Sequence, residues 1–301
     1  MKLPNKATII EVGPRDGLQN EKTMLDTAIK IDFIRQLKTA GFQEMELTSF
    51  VSPKWVPQMA DAKEVIAACK DNLRNLVLAP NEKGLDRAFD AGSEDIAFFV
   101  GVSDTFNKKN INRSTRESLE QLLPLIEKTK DRDSFIRACF STSFYCPYEG
   151  KISEDDVLSL CSEFVKAGAD DLSVADTIGM ASPSEVYSLF SRLKDAFPDV
   201  LLTAHFHDTR GMGLANVVAA LQAGVDRFDS SAGGLGGCPF APGASGNIAT
   251  EDTVFMLHQM GIETGIDIEN LLDALDIIEP HLHKKILSKQ YVLHKAAIKN
   301  S

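Results

Sequence analysis

The sequence lacks the features that mark disulfide-rich and membrane-spanning proteins. Its 301 residues contain only five cysteines, an odd number, and no two of them form a Cys-x-x-Cys pair. Free thiols of this kind fit a reducing compartment and argue against a disulfide scaffold. No apolar run approaches the roughly 20 residues that a membrane span needs. The chain enters a predicted strand within a few residues of Met1, so we expect no signal or transit peptide and a cytoplasmic location.

Positive charge is also scarce. The 32 lysines and arginines are outnumbered by 43 aspartates and glutamates, which gives a net charge of −11. This balance argues against a general nucleic-acid or membrane-surface binder. Any anionic ligand must therefore meet a local cluster of basic side chains.

The chain has no linker rich in Gly, Ser or Pro, and its hydrophobic content of 44% is ample for one large core. Short apolar runs alternate with longer amphipathic ones, and eight such pairs in about 260 residues predict a (β/α)8 TIM barrel. We expect one catalytic domain over 1–301, with the barrel at about 5–262 and a C-terminal helical extension at about 263–301. The predicted strands lie near 7–12, 43–48, 75–79, 95–101, 135–141, 170–175, 200–206 and 226–230. The predicted helices are 23–40, 61–70, 82–91, 114–130, 153–167, 183–196, 212–223 and 250–260.

A weak internal repeat supports a barrel built from repeated units. An Ala-Gly pair closes a predicted helix shortly before a strand at 40–41, 91–92, 167–168 and 223–224. Glycine at such a position can adopt the left-handed conformation that ends a helix, although glycine is also the commonest helix cap in general. The alternative fold is an open doubly wound sheet, which usually carries a GxGxxG turn after the first strand. The first turn here is Gly-Pro-Arg-Asp-Gly-Leu.

A His-x-His pair ends the seventh predicted strand. Residues i and i+2 of a strand point to the same face, about 6–7 Å apart along the chain. His205 and His207 can therefore bind one cation between them, or they can be an ordinary pair of hydrogen-bonded histidines. Asp16 after the first strand and Asn247 after the eighth would complete a site for a divalent cation. This ligand set favours Mg²⁺ or Mn²⁺ and does not exclude Zn²⁺. The alternative for Asp16 is a structural role, as a helix cap or in an ion pair with Arg15.

Three charged residues lie at the carboxyl ends of predicted strands, where the chemistry of a barrel is found. Arg15 can hold an oxyanion through two hydrogen bonds, or can form a surface ion pair. Glu46 is a candidate acid or base, or a buried structural carboxylate. We expect Asp176 to hydrogen-bond a residue of the site, with a structural role as the alternative.

The loop after the eighth strand carries a thiol behind four glycines. Cys238 follows Gly233-Gly234-Leu235-Gly236-Gly237, so the loop can move, and a thiol near a cation and Arg15 can have a lowered pKa. Such a thiol is suited to passing a proton, although a single cysteine is often inert. Lys22 and the pair Lys108-Lys109 are basic positions on the same face, and they either meet phosphates or are simply solvated.

Motifs in order along nearly the whole chain resemble those of 3-hydroxy-3-methylglutaryl-CoA lyases. Several of them are shared by the wider group of metal-dependent lyase and acyl-transfer barrels. The matching segments are 11–21 (EVGPRDGLQNE), 46–59 (ELTSFVSPKWVPQM), 146–150 (CPYEG), 176–179 (DTIG), 205–209 (HFHDT), 233–238 (GGLGGC), 246–247 and 249–252.

The resemblance implies a TIM barrel that cleaves 3-hydroxy-3-methylglutaryl-CoA to acetyl-CoA and acetoacetate, the chemistry of leucine degradation. It implies metal ligands at Asp16, His205, His207 and Asn247. It assigns enolate stabilisation to Arg15 and proton transfer to Cys238, with Glu46 a further acid or base. Lys22 and Ser103 would lie near the CoA moiety, and we expect a homodimer.

Two positions depart from the pattern expected of animal lyases. Phe206 replaces a smaller residue between the histidines, and we expect it to point away from the barrel and to matter little. Arg210 replaces an aromatic residue and bears on substrate range. The alternatives are a Claisen-type aldolase or synthase acting on another 3-hydroxyacyl-CoA or 2-oxo acid, and a catalytically silent CoA-binding barrel. The silent barrel would be expected to have lost a ligand, yet all four candidates are present.

Overall fold

In a computed structural model, which describes residues 3–237 and 246–300, eight parallel strands close into a barrel. Each strand pairs with the next along the chain, and the last pairs with the first. This confirms the predicted (β/α)8 fold. The strands are β1 (Thr8–Glu11), β2 (Glu44–Ser49), β3 (Arg74–Leu78), β4 (Asp95–Gly101), β5 (Phe135–Ser141), β6 (Asp171–Asp176), β7 (Leu201–Phe206) and β8 (Arg227–Ser230).

The helices surround the barrel, and all eight predicted ones are present with ends within a few residues of those expected. The helices are α1 (Thr27–Thr39), α2 (Ala62–Cys69), α3 (Glu82–Asp90), α4 (Asp104–Ile111), α5 (Thr115–Lys130), α6 (Glu154–Ala167), α7 (Pro183–Ala196), α8 (Gly213–Gln222), α9 (Thr250–Gln259), α10 (Ile268–Ile278) and α11 (Lys289–Asn300). The sequence did not predict α4 or the small hairpin of Tyr145–Cys146 and Gly150–Lys151. No helix in the described ranges is long and apolar enough to cross a bilayer.

Local sequence explains where several helices begin and end. Ser114 and Glu117 form a reciprocal capping box at the start of α5, and Ser182 and Glu185 form another at α7. Gly168 ends α6 with a φ of 108°, a left-handed conformation that a residue with a Cβ rarely adopts. The Ala-Gly repeat therefore does mark helix ends in the way that the sequence indicated.

The hydrophobic core lies between the strands and the ring of helices. Phe206 is fully buried there, and its ring meets Phe190 of α7 edge to face at 6.2 Å. It points away from the barrel axis, as expected. That it matters little for the reaction stays a prediction, whereas its burial gives it a part in packing, because removing a buried aromatic ring leaves a cavity.

Charged side chains fill the inside of the barrel, where the sequence pattern predicted apolar strands. Arg137 of β5 is 1% exposed and donates to Asp171 and Asp229, each at 2.8 Å, and to Thr203. Nearer the amino ends of the strands, Arg227 donates to Glu44 at 3.0 and 2.6 Å. Each of these buried charges has an opposite partner, which is the condition under which such burial is tolerated.

The C-terminal extension packs along α1 and α9 and also contacts the loop after β1. The backbone N–H of Asp267 donates to Ala40 at the end of α1 at 2.8 Å. Farther along, Lys284 forms a 2.7 Å ion pair with Glu21, a nearly buried side chain in the loop after β1. The backbone carbonyl of Glu21 also accepts from Gln58 in the loop after β2 at 2.7 Å. Through Glu21, the C-terminal extension is therefore linked to the loops after β1 and β2, at the carboxyl ends of the strands.

Candidate metal centre

One turn of π-helix, Gly13–Gly17, follows β1 and carries two of the predicted site residues. The carbonyl oxygen of Val12 accepts from the amides of Asp16 at 2.7 Å and Gly17 at 3.2 Å, which holds the turn closed. Single π-helical turns are rare and occur often at functional sites. This turn directs the Arg15 and Asp16 side chains toward the mouth of the barrel.

Arg15 bridges two carboxylates. Its Nη1 lies 2.6 Å from Oδ1 of Asp16, and its Nη2 lies 2.6 Å from Oε2 of Glu46 on β2. Burial alone would lower the pKa of Arg15, but the charges of Glu46 and Asp16 raise it above its usual range. Arg15 therefore stays cationic, and the ion pair weighed in the sequence analysis is formed.

The two carboxylates differ in environment. Burial acts to raise the pKa of Asp16, but the charge of Arg15, the two histidines and the hydrogen bond from Asn247 together outweigh it and leave the pKa below its ordinary value. The pKa of Glu46 is raised, because burial outweighs the same arginine. The second oxygen of Glu46, Oε1, is buried and has no hydrogen-bond partner in the described part of the chain. Asp16 is therefore a stable anion, whereas Glu46 binds a proton more readily than an ordinary glutamate does.

Asp16, His205 and His207 converge. One ligand atom from each side chain lies within 4.8 Å of the other two, and the two imidazole rings are 5.3 Å apart between centroids. The His-x-His residues therefore share a face, as the alternation of the strand predicted.

The two histidines differ in protonation and in the nitrogen that each can offer to a cation. Burial acts to lower the pKa of His205, but the hydrogen bond to Asp229 and the charges of Asp229 and Asp16 together outweigh burial and raise it. That hydrogen bond joins Nδ1 of His205 to Oδ2 of Asp229 at 3.2 Å, which leaves Nε2 as the nitrogen that can bind a cation once the ring has lost its proton. Burial and the neighbouring His205 lower the pKa of His207 to about 4, so its ring is neutral. The Nδ1 atom of His207 is buried and has no hydrogen-bond partner among the described residues. An anionic carboxylate and an imidazole with an unused nitrogen fit a divalent cation.

Asn247 lies beside this group. Its Nδ2 donates to Oδ2 of Asp16 at 2.8 Å and to the carbonyl of Leu235 at 3.1 Å. A Cβ on Gly236 would come within 2.7 Å of the same nitrogen, so the chain needs glycine there. The structure thus places Asn247 at Asp16 through its amide nitrogen, and a role as an oxygen ligand stays a prediction.

Asp176 contacts the site through its backbone, while its carboxylate contacts its own loop. The backbone carbonyl of Asp176 accepts from the amide of His207 at 3.4 Å, so the expected hydrogen bond to a site residue is present, through the main chain. The two carboxylate oxygens accept from the amides of Met180 at 3.0 Å and Ala181 at 2.9 Å, in the loop that follows β6. Burial raises the pKa of Asp176 to about 6. A role for this carboxylate in the reaction stays a prediction.

Ser103 and Lys22, the two residues predicted to lie near CoA, have different surroundings. The hydroxyl of Ser103 caps α4 by accepting from Phe106 at 3.1 Å and lies 2.9 Å from Sγ of Cys146. Ser103 is 1% exposed, so the structure gives it a capping role, whereas Lys22 is exposed in the loop after β1. Contacts between CoA and either residue stay predictions.

Three other predicted residues are placed as follows. Lys108 is exposed and forms a 2.6 Å ion pair with Asp104 of its own helix, which fits the alternative of a solvated lysine. Lys109 lies over the ring of Tyr148. Arg210 donates to the carbonyl of Ile178 at 2.6 Å, which links the loops after β7 and β6. Cys238 lies outside the described residues.

Sequence reasoning missed three buried residues around the centre. Asp229 holds His205, Arg137 holds Asp229, and Glu11 lies at the end of β1 behind the π-turn. Arg137 and Glu11 are each the only charge in their strand, and Asp229 lies two residues after Arg227 in β8. Charges inside buried strands signal either a partner or a site. That signal was present in the segments FIRACFS and RFDS, but the partners lie on other strands and the sequence does not pair them.

Comparison with known proteins places this geometry in a family. Residues 6–278 match the family model described as HMGL-like. The hydroxymethylglutaryl-CoA lyase YngG of Bacillus subtilis is 44% identical over 299 residues, covering 99% of this chain and all of that one. The human mitochondrial hydroxymethylglutaryl-CoA lyase is 44% identical over 289 residues, covering 95% of this chain and 89% of that one.

Solved structures of hydroxymethylglutaryl-CoA lyases have the same fold as this chain. The HMG-CoA lyase of Bacillus subtilis superposes with a TM-score of 0.95 at 44% identity, covering 98% of this chain and all of that one. An HMG-CoA lyase of Acinetobacter baumannii, in complex with coenzyme A and 3-methylmalate, superposes with a TM-score of 0.91 at 40% identity. That match covers 98% of this chain and 96% of the other. Sequence, fold and the grouping of Asp16 with His205 and His207 thus lead to one conclusion: the chain belongs to the hydroxymethylglutaryl-CoA lyase family.

Proposed function

We propose that this protein cleaves 3-hydroxy-3-methylglutaryl-CoA to acetyl-CoA and acetoacetate. The observation that carries the proposal is the linked group of Glu46, Arg15 and Asp16 beside the two histidines, at the carboxyl ends of the barrel strands. The identity of the acyl-CoA comes from the names of the relatives.

We assign cation binding to Asp16, His205, His207 and Asn247. The donors fit Mg²⁺ or Mn²⁺, since a carboxylate, an amide and neutral imidazoles suit such ions and leave room for substrate oxygens. A divalent cation bound there would stabilise negative charge on the tertiary alcohol oxygen of the substrate. The role of His205 is to present one nitrogen while Asp229 holds the other.

Proton transfer from the substrate hydroxyl is assigned to Glu46. Its Oε1 is buried and has no hydrogen-bond partner within 3–237 and 246–300, and its raised pKa gives it the proton affinity that a base requires. As the hydroxyl proton leaves, the bond between C3 and the α-carbon of the thioester breaks. Its electron pair moves to that α-carbon and forms the enolate of acetyl-CoA, while C3 becomes the ketone of acetoacetate.

Arg15 and Cys238 act on the enolate. The guanidinium is fixed between two carboxylates and permanently charged, so it can stabilise an enolate oxygen without reorganising. We assign to Cys238 the delivery of a proton to the α-carbon, which completes acetyl-CoA. Lys22 is assigned to the CoA side, and Ser103 supports that side through α4.

The direct test is an assay of purified protein that has been treated with a chelator. It is incubated with 3-hydroxy-3-methylglutaryl-CoA and with a panel of other 3-hydroxyacyl-CoA esters, with and without added Mg²⁺ or Mn²⁺. We expect stoichiometric acetyl-CoA and acetoacetate from the first substrate only when a cation is present. Full activity of metal-free protein would refute the cation's role. Cleavage of another ester in preference would reassign the substrate.

We further propose a cytoplasmic homodimer that functions in leucine degradation. The free thiols of Cys69, Cys139, Cys146 and Cys161 support a reducing compartment. Light scattering coupled to gel filtration measures the mass in solution, and a mass of one chain would overturn the dimer.

A further inference from the structure

Glu11 is a fully buried carboxylic acid that none of the roles above uses. It is the last residue of β1, directly before the turn that carries Arg15 and Asp16. Its two oxygens accept three hydrogen bonds from three separate segments of the chain. A buried charge-bearing group with this many specific partners usually determines the arrangement of those partners.

One oxygen of Glu11 connects the two sides of the cation site. Oε1 accepts from the amide of Gly13 at 2.7 Å, at the start of the π-turn that ends beyond Asp16. It also accepts from the amide of Ala232 at 2.9 Å, at the start of the short 3-10 turn Ala232–Gly234. The next residue, Leu235, receives the hydrogen bond from Asn247. Glu11 therefore sets the relative position of the segments that hold Asp16 and Asn247.

The other oxygen connects Glu11 to α9. Oε2 accepts from the hydroxyl of Thr250 at 2.7 Å, and that hydroxyl lies 2.8 Å from the hydroxyl of Ser230 at the end of β8. Thr250 is the first residue of α9 and follows Asn247 by three positions. A second contact thus fixes the segment on the Asn247 side.

The space around this carboxyl is matched to it. A Cβ on Gly13 would lie 2.5 Å from Oε1 of Glu11, closer than two such atoms can approach. Gly13 can therefore not become alanine without moving the carboxyl or the turn. Burial raises the pKa of Glu11 to about 8, so a neutral carboxyl is compatible with the site, and glutamine has nearly the same shape.

We propose that Glu11 is a positioning residue for the cation site, which holds the Asp16 turn and the Asn247 segment at a fixed separation. The inference rests on the proposed function insofar as Asp16 and Asn247 bind the cation. Glu11 touches neither substrate nor cation. Its effect passes through the backbone amides of Gly13 and Ala232.

The test compares Glu11→Ala and Glu11→Gln with wild type. Mn²⁺ affinity of the metal-free protein is measured by the EPR signal of unbound Mn²⁺, together with Tm and the separate kcat and KM for 3-hydroxy-3-methylglutaryl-CoA. We expect Glu11→Ala to weaken Mn²⁺ binding at least tenfold and to lower kcat. Glutamine can accept both amides and donate to Thr250, so Glu11→Gln should keep both values within about threefold of wild type.

A matched control separates positioning from general stability. Glu44→Ala removes another buried, hydrogen-bonded carboxylate, but near the amino end of its strand and paired with Arg227. It should lower Tm without changing Mn²⁺ affinity. The proposal is overturned if Glu11→Ala lowers Tm and binds Mn²⁺ as wild type does, or if Glu11→Gln is as defective as Glu11→Ala.

Gly13→Ala provides a second measurement should Glu11→Ala not fold. Its new Cβ displaces the same carboxyl, so it should also weaken Mn²⁺ binding, and unchanged affinity would contradict the proposal. Failure of the lyase assignment would be seen separately, as wild-type protein that binds Mn²⁺ but forms no acetoacetate.

Discussion

The Nδ1 atom of His205 lies 3.2 Å from Oδ2 of Asp229, and Arg137 holds the other oxygen of that carboxylate at 2.8 Å. Ser173 donates to Oδ2 as well, at 2.8 Å. Asp229 is thus held by side chains of two strands, β5 and β6, in addition to its contact with the imidazole. It can only serve as the acceptor for Nδ1–H, which decides which nitrogen of His205 faces the cation site.

Replacing Asp229 with asparagine should weaken cation binding. The amide can rotate to offer its NH2 group to His205, and the tautomer is then no longer determined. Changes of such supporting residues commonly cost 10- to 100-fold in metal affinity or activity, and we expect about that loss of Mn²⁺ affinity. Titration calorimetry measures it. Affinity equal to wild type would show that Asp229 has no influence on the ligand.

The dependence of cation affinity on pH should reflect one histidine. A protonated imidazole cannot bind a cation, and the pKa of His205 is raised above its ordinary value whereas that of His207 is about 4. As the pH falls below the pKa of His205, affinity should drop about tenfold per pH unit, the slope for one proton. Mn²⁺ binding measured between pH 5 and 8.5 tests this. A slope of two protons near pH 6 would contradict it.

In the Asp229→Asn variant, the pH at which cation affinity begins to fall should shift in a direction that the electrostatics of His205 determines. The aspartate raises the pKa of His205, so its removal should move the break in affinity to lower pH. A break that moves to higher pH would mean that another group controls the binding.

Arg15→Met should lower kcat by about 10²- to 10³-fold, the usual effect of removing a group that stabilises an oxyanion. The same change leaves Asp16 and Glu46 without their shared partner, so the protein should also become less stable. Arg15→Lys keeps a charge but not the two-pronged geometry and should recover only part of the rate. Steady-state kinetics separates the cases, and an effect on KM alone would assign Arg15 to substrate binding.

Cys238→Ser should lose most of kcat while the affinity for the cation barely changes. A hydroxyl is a much weaker acid than a thiol and delivers a proton less readily. Cys69→Ser on α2 is the control for loss of a thiol elsewhere. Wild-type turnover by Cys238→Ser would exclude this thiol from the reaction.

Phe206→Ala should destabilise the protein by about 3–5 kcal/mol, as expected for a fully buried aromatic ring in contact with another. Urea denaturation followed by circular dichroism measures the free energy of unfolding. Phe255 of α9 is 40% exposed, and Phe255→Ala should change stability by less than about 1 kcal/mol. Equal effects of the two substitutions would refute the packing argument.

The sequence allowed the fold and the centre of the site to be predicted because their signals are local. The alternation of apolar runs fixes strands and helices, and the two-residue period of a strand places His205 and His207 on one face. Asp16 was recognised because it closely follows the first strand, and in a barrel the segments after the strands meet on one face.

The residues that sequence reasoning missed depend on contacts between distant segments. Arg137 and Asp229 are 92 positions apart, and Glu11 and Ala232 are 221 apart. Before the barrel closes, nothing in the sequence pairs these charges with their partners. The carboxylate of Asp176 is the opposite case, because its partners, Met180 and Ala181, are local backbone amides that any loop can offer.

The ion pair between Lys284 and Glu21 connects the C-terminal extension to the loop after β1, at the mouth of the barrel. Glu21 precedes Lys22, and its carbonyl receives Gln58, so three segments meet at this point. A protein shortened to residue 278 would keep all eight barrel strands and the whole region that the family model matches. It would nevertheless leave a nearly buried carboxylate without its counter-charge, next to the lysine assigned to CoA. Shortening the chain there should weaken thioester binding, and it should also lower stability because Ile286 and Tyr291 are part of the core.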